Sequence, residues 1–363
     1  MTKTPLLLTP GPLTTTARTK QAMLTDWGSW DVDFNHLTAR VCEQVTMIAG
    51  AEADYVTVPL QGSGTFAVEA AINTLVPRHG KFLVLNNGAY GARMARLCRQ
   101  MGLTVEELLV QETEPTDPAI LAERLAADPA ISHVGVIHCE TGTGLLNPLE
   151  ELGAVIEKAG RRMILDAMST FGALPIDVAK LPCDALISSA NKCLEGVPGF
   201  SFIVADKQAL RDAEGRCTSL SLDLTDQWLY MQKTGRWRFT PPTHVVAAFH
   251  EALAQFDEQG GRPARLARYT QNWQVLVDGM AALGITTLLP RAHQAPIIVT
   301  FVAPDQGYDF QSLYDRLKAR GFIIYPGKTT DAETFRIGCI GAITPEDMAR
   351  LIDTIGEEFG HAQ

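Results

Sequence analysis

The sequence predicts an α/β protein: a large three-layer sandwich with helices on both faces of a mainly parallel sheet, then a smaller C-terminal α+β unit. Three observations predict it. Short β-rich runs alternate with helical patterns, the runs are continuously apolar, and the style changes after about residue 255. Strands of that kind belong in a sheet whose two faces are both covered by helices.

The runs are "YVTVPL" from 55, "KFLVLN" from 81, "HVGVIHC" from 133, "RMILD" from 162, "DALISS" from 184 and "FSFIVA" from 200. Helical patterns such as "FAVEAAINTLV" and "AILAERLAA" lie between most of them, the signature of βαβ units. Past 255 come the charged helical stretch "GGRPARLARYTQNWQVLVDGMAALG", then "APIIVTFVAP", "FQSLYDRLKARGFIIYP" and "TFRIGCIG". A last helix starts from Thr344 as N-cap, with Pro345 at its first position.

At 363 residues, 46% hydrophobic and 20% charged, the chain is long enough for one large domain and a smaller one. Its net charge of −10 speaks against a nucleic-acid partner, because no basic stripe exists to neutralise phosphates. An anionic ligand must therefore be met locally. Seven cysteines without paired spacing read as reduced thiols of an intracellular protein, which makes the cytoplasm the expected compartment. The three leucines at 6–8 are too few for a signal-peptide core, and nothing approaches eighteen apolar residues, so no membrane partner is expected.

One residue stands out against this background. Lys192 sits inside "LISSANKCLEGVPGF", where a long charged side chain needs a partner or a reaction that consumes its charge. Four loops at strand ends could supply that chemistry, since ligands of open α/β sheets bind beyond the carboxyl ends of the strands. "QGSGTF" at 61 opens a helix with free backbone N–H groups, the arrangement that cradles a phosphate. "NNGAYG" at 86 presents Tyr90, "HCETGTG" at 138 presents Thr141 and Thr143, and "LDAMSTFG" ends an apolar strand on Asp166. Each loop has an ordinary reading as a turn. Together with Lys192 they fit one ligand, pyridoxal 5′-phosphate, which joins an aldehyde for the lysine, a ring nitrogen for the aspartate and a phosphate for the small-residue turn.

Across essentially the whole chain the sequence resembles the class V, fold-type I aminotransferases. The matching stretches are "LLLTPGPLTTT", "LQGSGTFAVEA", "NNGAYGARM", "HCETGTGLLNP", "DAMSTFG", "LISSANKCLEGVPGFSF", "SLSLDL", "WRFTPPTH", "FIIYPGK" and "FRIGCIG". Two positions depart from the family pattern: Gly142 replaces a threonine, and Pro241-Pro242 replaces a Ser-Pro pair.

The resemblance implies an N-terminal arm over 1–20 that contributes to the active site, a large cofactor-binding domain over 21–255 and a small domain over 256–363. It implies that Lys192 bonds to the cofactor and carries protons, and that Asp166 holds the ring nitrogen protonated. Tyr90 would stack on the ring; Ser63, Gly64, Thr65 and Ser189 would hold the phosphate; Thr143 would reach the phenolic oxygen. Thr243 would touch the phosphate of a partner subunit, in a homodimer with shared active sites. Arg336 would bind substrate oxyanions, with Gly11 and Pro12 nearby and Lys328 as a weaker candidate. The implied reaction moves the amino group of 2-aminoethylphosphonate to pyruvate. Alanine or serine with glyoxylate or pyruvate is the alternative pair, and a cysteine desulfurase-type lyase the less favoured one.

Other features read as structural. His133, His138 and Cys139 lack a second pair at zinc-site spacing, so no metal is expected. Cys193 reads as a packed thiol, whereas Trp27, Trp30 and His36 fit either the active-site entrance or a dimer contact.

Overall fold

The apolar runs become strands because each can bury both of its faces. In the computed structural model, which describes residues 4–50, 53–304, 308–327, 329 and 333–360, seven strands form the central sheet. They are β1 (Tyr55–Gln61), β2 (Lys81–Asn86), β3 (Thr104–Leu109), β4 (Ile131–Ile137), β5 (Arg162–Asp166), β6 (Cys183–Ser189) and β7 (Phe200–Asp206). Their order is β1-β7-β6-β5-β4-β2-β3; β7 runs antiparallel to both neighbours and the other pairs are parallel. All seven residues of β6 are buried.

The period of two sorts side chains between two cores. Leu165, Leu186, Phe202 and Val204 face one, with Phe34, Leu37, Val41 and Val45 of α1 (Val32–Ile48). Ile164, Ala185, Ile187 and Ile203 face the other, with Ala67, Ala71 and Leu75 of α2 (Gly64–Leu75). A three-layer sandwich results.

The strand β3 is absent from the sequence expectation. Its run "TVEELL" carries two glutamates, which strands disfavour. At this edge they are paired: Glu106 with Lys81 at 2.7 Å and with Arg124, Glu107 with Arg99.

Beyond 260, α3 (Gly261–Ala282) and α4 (Pro345–Gly360) pack together beside a three-stranded antiparallel sheet. Its order is β8 (Ile298–Val302), β10 (Thr334–Gly338), β9 (Tyr325–Pro326). Leu276, Phe301, Ile337 and Leu351 form its core together with Leu8. The N-terminal segment reaches this core because Leu6–Leu7 pairs with Phe322–Ile323 and Gly338 N donates to Leu8 O at 2.9 Å. Position 338 must be glycine for that approach, since a Cβ there would lie 2.4 Å from Thr9 O. No helix among the described residues is long and apolar enough to cross a membrane.

Candidate active site

Four strand ends and the N-terminal arm converge on one cavity of about 220 Å³, lined by Gly11, Ser63, Gly64, Thr65, Tyr90 and Arg93 on one side and Asp166, Ser189, Asn191 and Lys192 on another. Ser63 is the N-cap of α2, with extended backbone and no side-chain cap bond. The Gly64 and Thr65 N–H groups, like the Ser63 hydroxyl, find no acceptor among the described residues, so the helix start presents free donors to the cavity.

Asp166 ends β5, where the parallel register buries it. Its Oδ1 accepts from Met168 N at 2.9 Å, and no described residue donates to Oδ2. Burial pushes the carboxyl up to about 6, against the pull of that N–H and of the Lys192 and Arg93 charges. Lys192 follows β6 on a tight turn closed by Glu195 N donating to Lys192 O at 2.8 Å. Its Nζ donates to Pro10 O, also at 2.8 Å, and burial lowers its pKa below the ordinary lysine range. A buried carboxylate with one uncommitted oxygen, a desolvated amine and a set of free N–H donors around one cavity fit the ring nitrogen, aldehyde and phosphate of pyridoxal phosphate.

Arg336 lies on β10, outside this cavity's lining, and is 2% exposed. The surface ion pair that is the ordinary role of an isolated arginine does not apply. Nε donates to Pro326 O at 2.8 Å and Nη1 to Thr141 O at 2.7 Å, which fixes the guanidinium plane and leaves Nη2 without an acceptor among the described residues. Pro12, Thr143 and Thr243 also do not line the cavity. Thr143 is buried on the "HCETGTG" turn, with Oγ1 3.5 Å from Glu140 O, and Thr243 begins the helix Thr243–Glu258. Lys328 lies outside the described residues.

Sequence reasoning missed three contributors. Arg93 stands one helical turn after Tyr90, with its guanidinium 4.9 Å from the ring centroid, so Arg336 is not the sole cation of the region. Glu140 is fully buried and accepts from Tyr90 N and Gly142 N, each at 2.9 Å. A Cβ at Gly142 would come within 2.9 Å of that carboxylate, which accounts physically for glycine there. An acid inside "HCETGTG" was the signal for it. The third, the Pro10 carbonyl, has no side-chain signature at all.

The features read as structural are placed as follows. His133 Nε2 meets Asp184 at 3.0 Å, His138 Nδ1 meets Thr170 at 2.9 Å, and Cys193 Sγ donates to Ser169 O at 3.1 Å. Trp27 packs against Phe34, and Arg236 covers the exposed Trp30 ring at 3.9 Å.

The fold and this site define a class V aminotransferase: the model of that family, "Aminotransferase class-V", matches residues 27–350, and the chain belongs to it. Enzymes of this class depend on pyridoxal phosphate. Among curated relatives, the 2-aminoethylphosphonate–pyruvate transaminase of Pseudomonas entomophila is 59% identical over 358 residues, covering 98% of this chain and 97% of that protein. Among solved structures, alanine–glyoxylate aminotransferase from Nostoc sp. (TM-score 0.92, 23% identity, 99% and 96% of the two chains) shares the fold. So does pyridoxamine-pyruvate aminotransferase from Mesorhizobium loti (TM-score 0.91, 23% identity, 99% and 93%).

Proposed function

We propose that this enzyme transfers the amino group of 2-aminoethylphosphonate to pyruvate, giving phosphonoacetaldehyde and L-alanine. The observation that carries the chemistry is the convergence of Lys192, Asp166 and the Ser63–Thr65 helix start on one cavity. The substrate pair is supported by relatives of that name at 57–59% identity over nearly the whole chain.

When bound, pyridoxal phosphate supplies an electron sink conjugated to the substrate's amine-bearing carbon. Asp166, kept from water, favours a protonated ring nitrogen beside it. Ser63, Gly64, Thr65 and Ser189 would hold the phosphate and Tyr90 would pack on the ring; Thr143, on the buried turn beyond the cavity's lining, would serve the phenolic oxygen. Lys192 Nζ would hold the cofactor's aldehyde carbon and, as a free amine, would take the proton from the substrate's amine-bearing carbon and hand one back. Its lowered pKa raises the fraction of free amine near neutrality. Arg336, with Gly11 and Pro12 nearby, turns its uncommitted N–H groups to the phosphonate of the donor and then the carboxylate of pyruvate. The arm over 1–20, the large domain over 21–255 and the small domain over 256–363 divide these tasks. Two copies form a homodimer in the cytoplasm, Thr243 of each reaching the other's phosphate.

A desulfurase-type lyase needs a reactive thiol. Six of the seven cysteines pack against desolvating surroundings that raise their pKa strongly, the seventh, Cys217, is raised as well, and none is exposed.

A panel of amine donors, each scored by bleaching of the cofactor's visible band in a single half-reaction, tests the reading. 2-Aminoethylphosphonate should react fastest, with pyruvate restoring the band. If alanine or serine with glyoxylate proves far faster, the alternative pair replaces it.

A further inference from the structure

Three residues after Lys192 the chain does something costly. Glu195 has φ 57, the one non-glycine residue with positive φ among those described, and it is buried. For an L-residue with a long side chain that conformation persists only where the surroundings over-determine it. Here they do. Glu195 Oε1 accepts from Tyr269 Oη at 2.6 Å and from Arg268, and Arg265 Nη1 lies 3.3 Å away. Arg265, 1% exposed, also donates from Nη1 to Cys193 O at 2.6 Å. The backbone on either side of the lysine is thereby held: Cys193 by α3, Glu195 by α3, and Gly196 N by Ala190 O at 2.8 Å.

The same face of α3 holds the segment that directly follows the strand of Arg336. Tyr269 Oη accepts from Gly341 N at 3.3 Å, and Asn272 Nδ2 donates to Cys339 O at 2.9 Å, three residues beyond Arg336. A carboxylate, a phenol and two guanidiniums are an expensive way to fill a buried space, since apolar side chains of similar volume would be cheaper to desolvate. What the polar set adds is a fixed geometry, because its hydrogen bonds are directional and an apolar contact is not.

We infer that Glu195, with Arg265 and Tyr269, forms a positioning clamp that sets the Lys192 amine against the Arg336 strand. The inference rests on the roles proposed for those two residues. These residues line no part of the cavity; they act through the lysine's turn and through the segment that leaves β10.

The test uses the cofactor-loaded full chain carrying Tyr269→Phe, which removes one hydroxyl, and Glu195→Gly, which relaxes the backbone but deletes the carboxylate. Visible circular dichroism of the bound cofactor reports the angle at which the lysine holds it. Single-turnover half-reactions with protonated and deuterated donor report proton transfer. For Tyr269→Phe the clamp predicts an altered visible dichroism band, a rate about tenfold lower, the scale of one lost hydrogen bond, and a larger deuterium isotope effect, with KM little changed. Glu195→Gly should exceed it in each. A dichroism band, rate and isotope effect matching the parent in Tyr269→Phe, with only the melting temperature lowered, would overturn the clamp. Should Glu195→Gly fail to fold, Tyr269→Phe alone decides. Running L-alanine beside 2-aminoethylphosphonate separates the two claims: a parent chain that does not react with 2-aminoethylphosphonate defeats the proposed function whether or not it reacts with alanine, while a parent active on either donor and matched by its variants defeats the clamp.

Discussion

Lys192 Nζ reaches the carbonyl of Pro10 across 2.8 Å, a contact between residues 182 positions apart in the chain. Gly11 makes it possible: its φ is +112, and a Cβ there would lie 2.6 Å from Lys192 Cδ and 2.9 Å from Asn191 O. The N-terminal arm, itself seated on β10 through Leu8, thus touches the residue on which the proposed chemistry turns.

Gly11→Ala should therefore push the lysine from its seat. Turnover should fall between about tenfold and 100-fold, the range expected for a displacement near 1 Å at a reacting group. Half-reaction kinetics check this, and parent-like rates would mean that the arm only packs beside the site.

Asp166→Asn should cripple turnover while leaving cofactor binding largely intact, because a neutral amide cannot favour a protonated ring nitrogen. It also has a signature in the cofactor-free chain. The carboxyl's pKa rises on folding from the ordinary 3.8 to about 6, so between those values the folded state binds more protons than the unfolded one. Stability contributed by this group is then present below about pH 4 and lost as pH rises through 6, a cost on the order of 3 kcal/mol at pH 7. The variant should melt higher than the parent at pH 7 and not at pH 4. Thermal melts at the two values decide it; equal differences at both would rule out a strained carboxylate.

Arg336→Lys keeps the charge but loses the planar fork. An ammonium that satisfies the carbonyls of Pro326 and Thr141 has little left for a substrate oxyanion. KM for the donor and for pyruvate should each rise by roughly 10- to 100-fold, the worth of a charged hydrogen bond at about 1.5–3 kcal/mol. Steady-state constants for each substrate, with the other saturating, measure it. A rise confined to one substrate would show that two different cations serve the two half-reactions, with Arg93 the first to examine.

How legible this was depended on whether a residue's partner lay in its own segment. The strands that line both cores announced themselves as apolar runs, and Lys192 and Asp166 as charges where apolar residues were due. The edge strand Thr104–Leu109 did not, because its glutamates are neutralised by Lys81, Arg99 and Arg124 from elsewhere. The partners of Glu195 lie some seventy residues on, in a helix whose arginines look like ordinary surface charge until the fold buries Arg265. A backbone acceptor such as Pro10 O leaves no trace in residue type. Gly142 read as a departure, and only the Glu140 carboxylate folded against it gives a reason.

The most direct measurement concerns Lys192 itself. Reducing the cofactor-loaded protein with borohydride, digesting it and mapping the labelled peptide should place the pyridoxyl group on Lys192, within "SSANKCLEG". Label on any other lysine, or none on this peptide, would contradict the account at its centre.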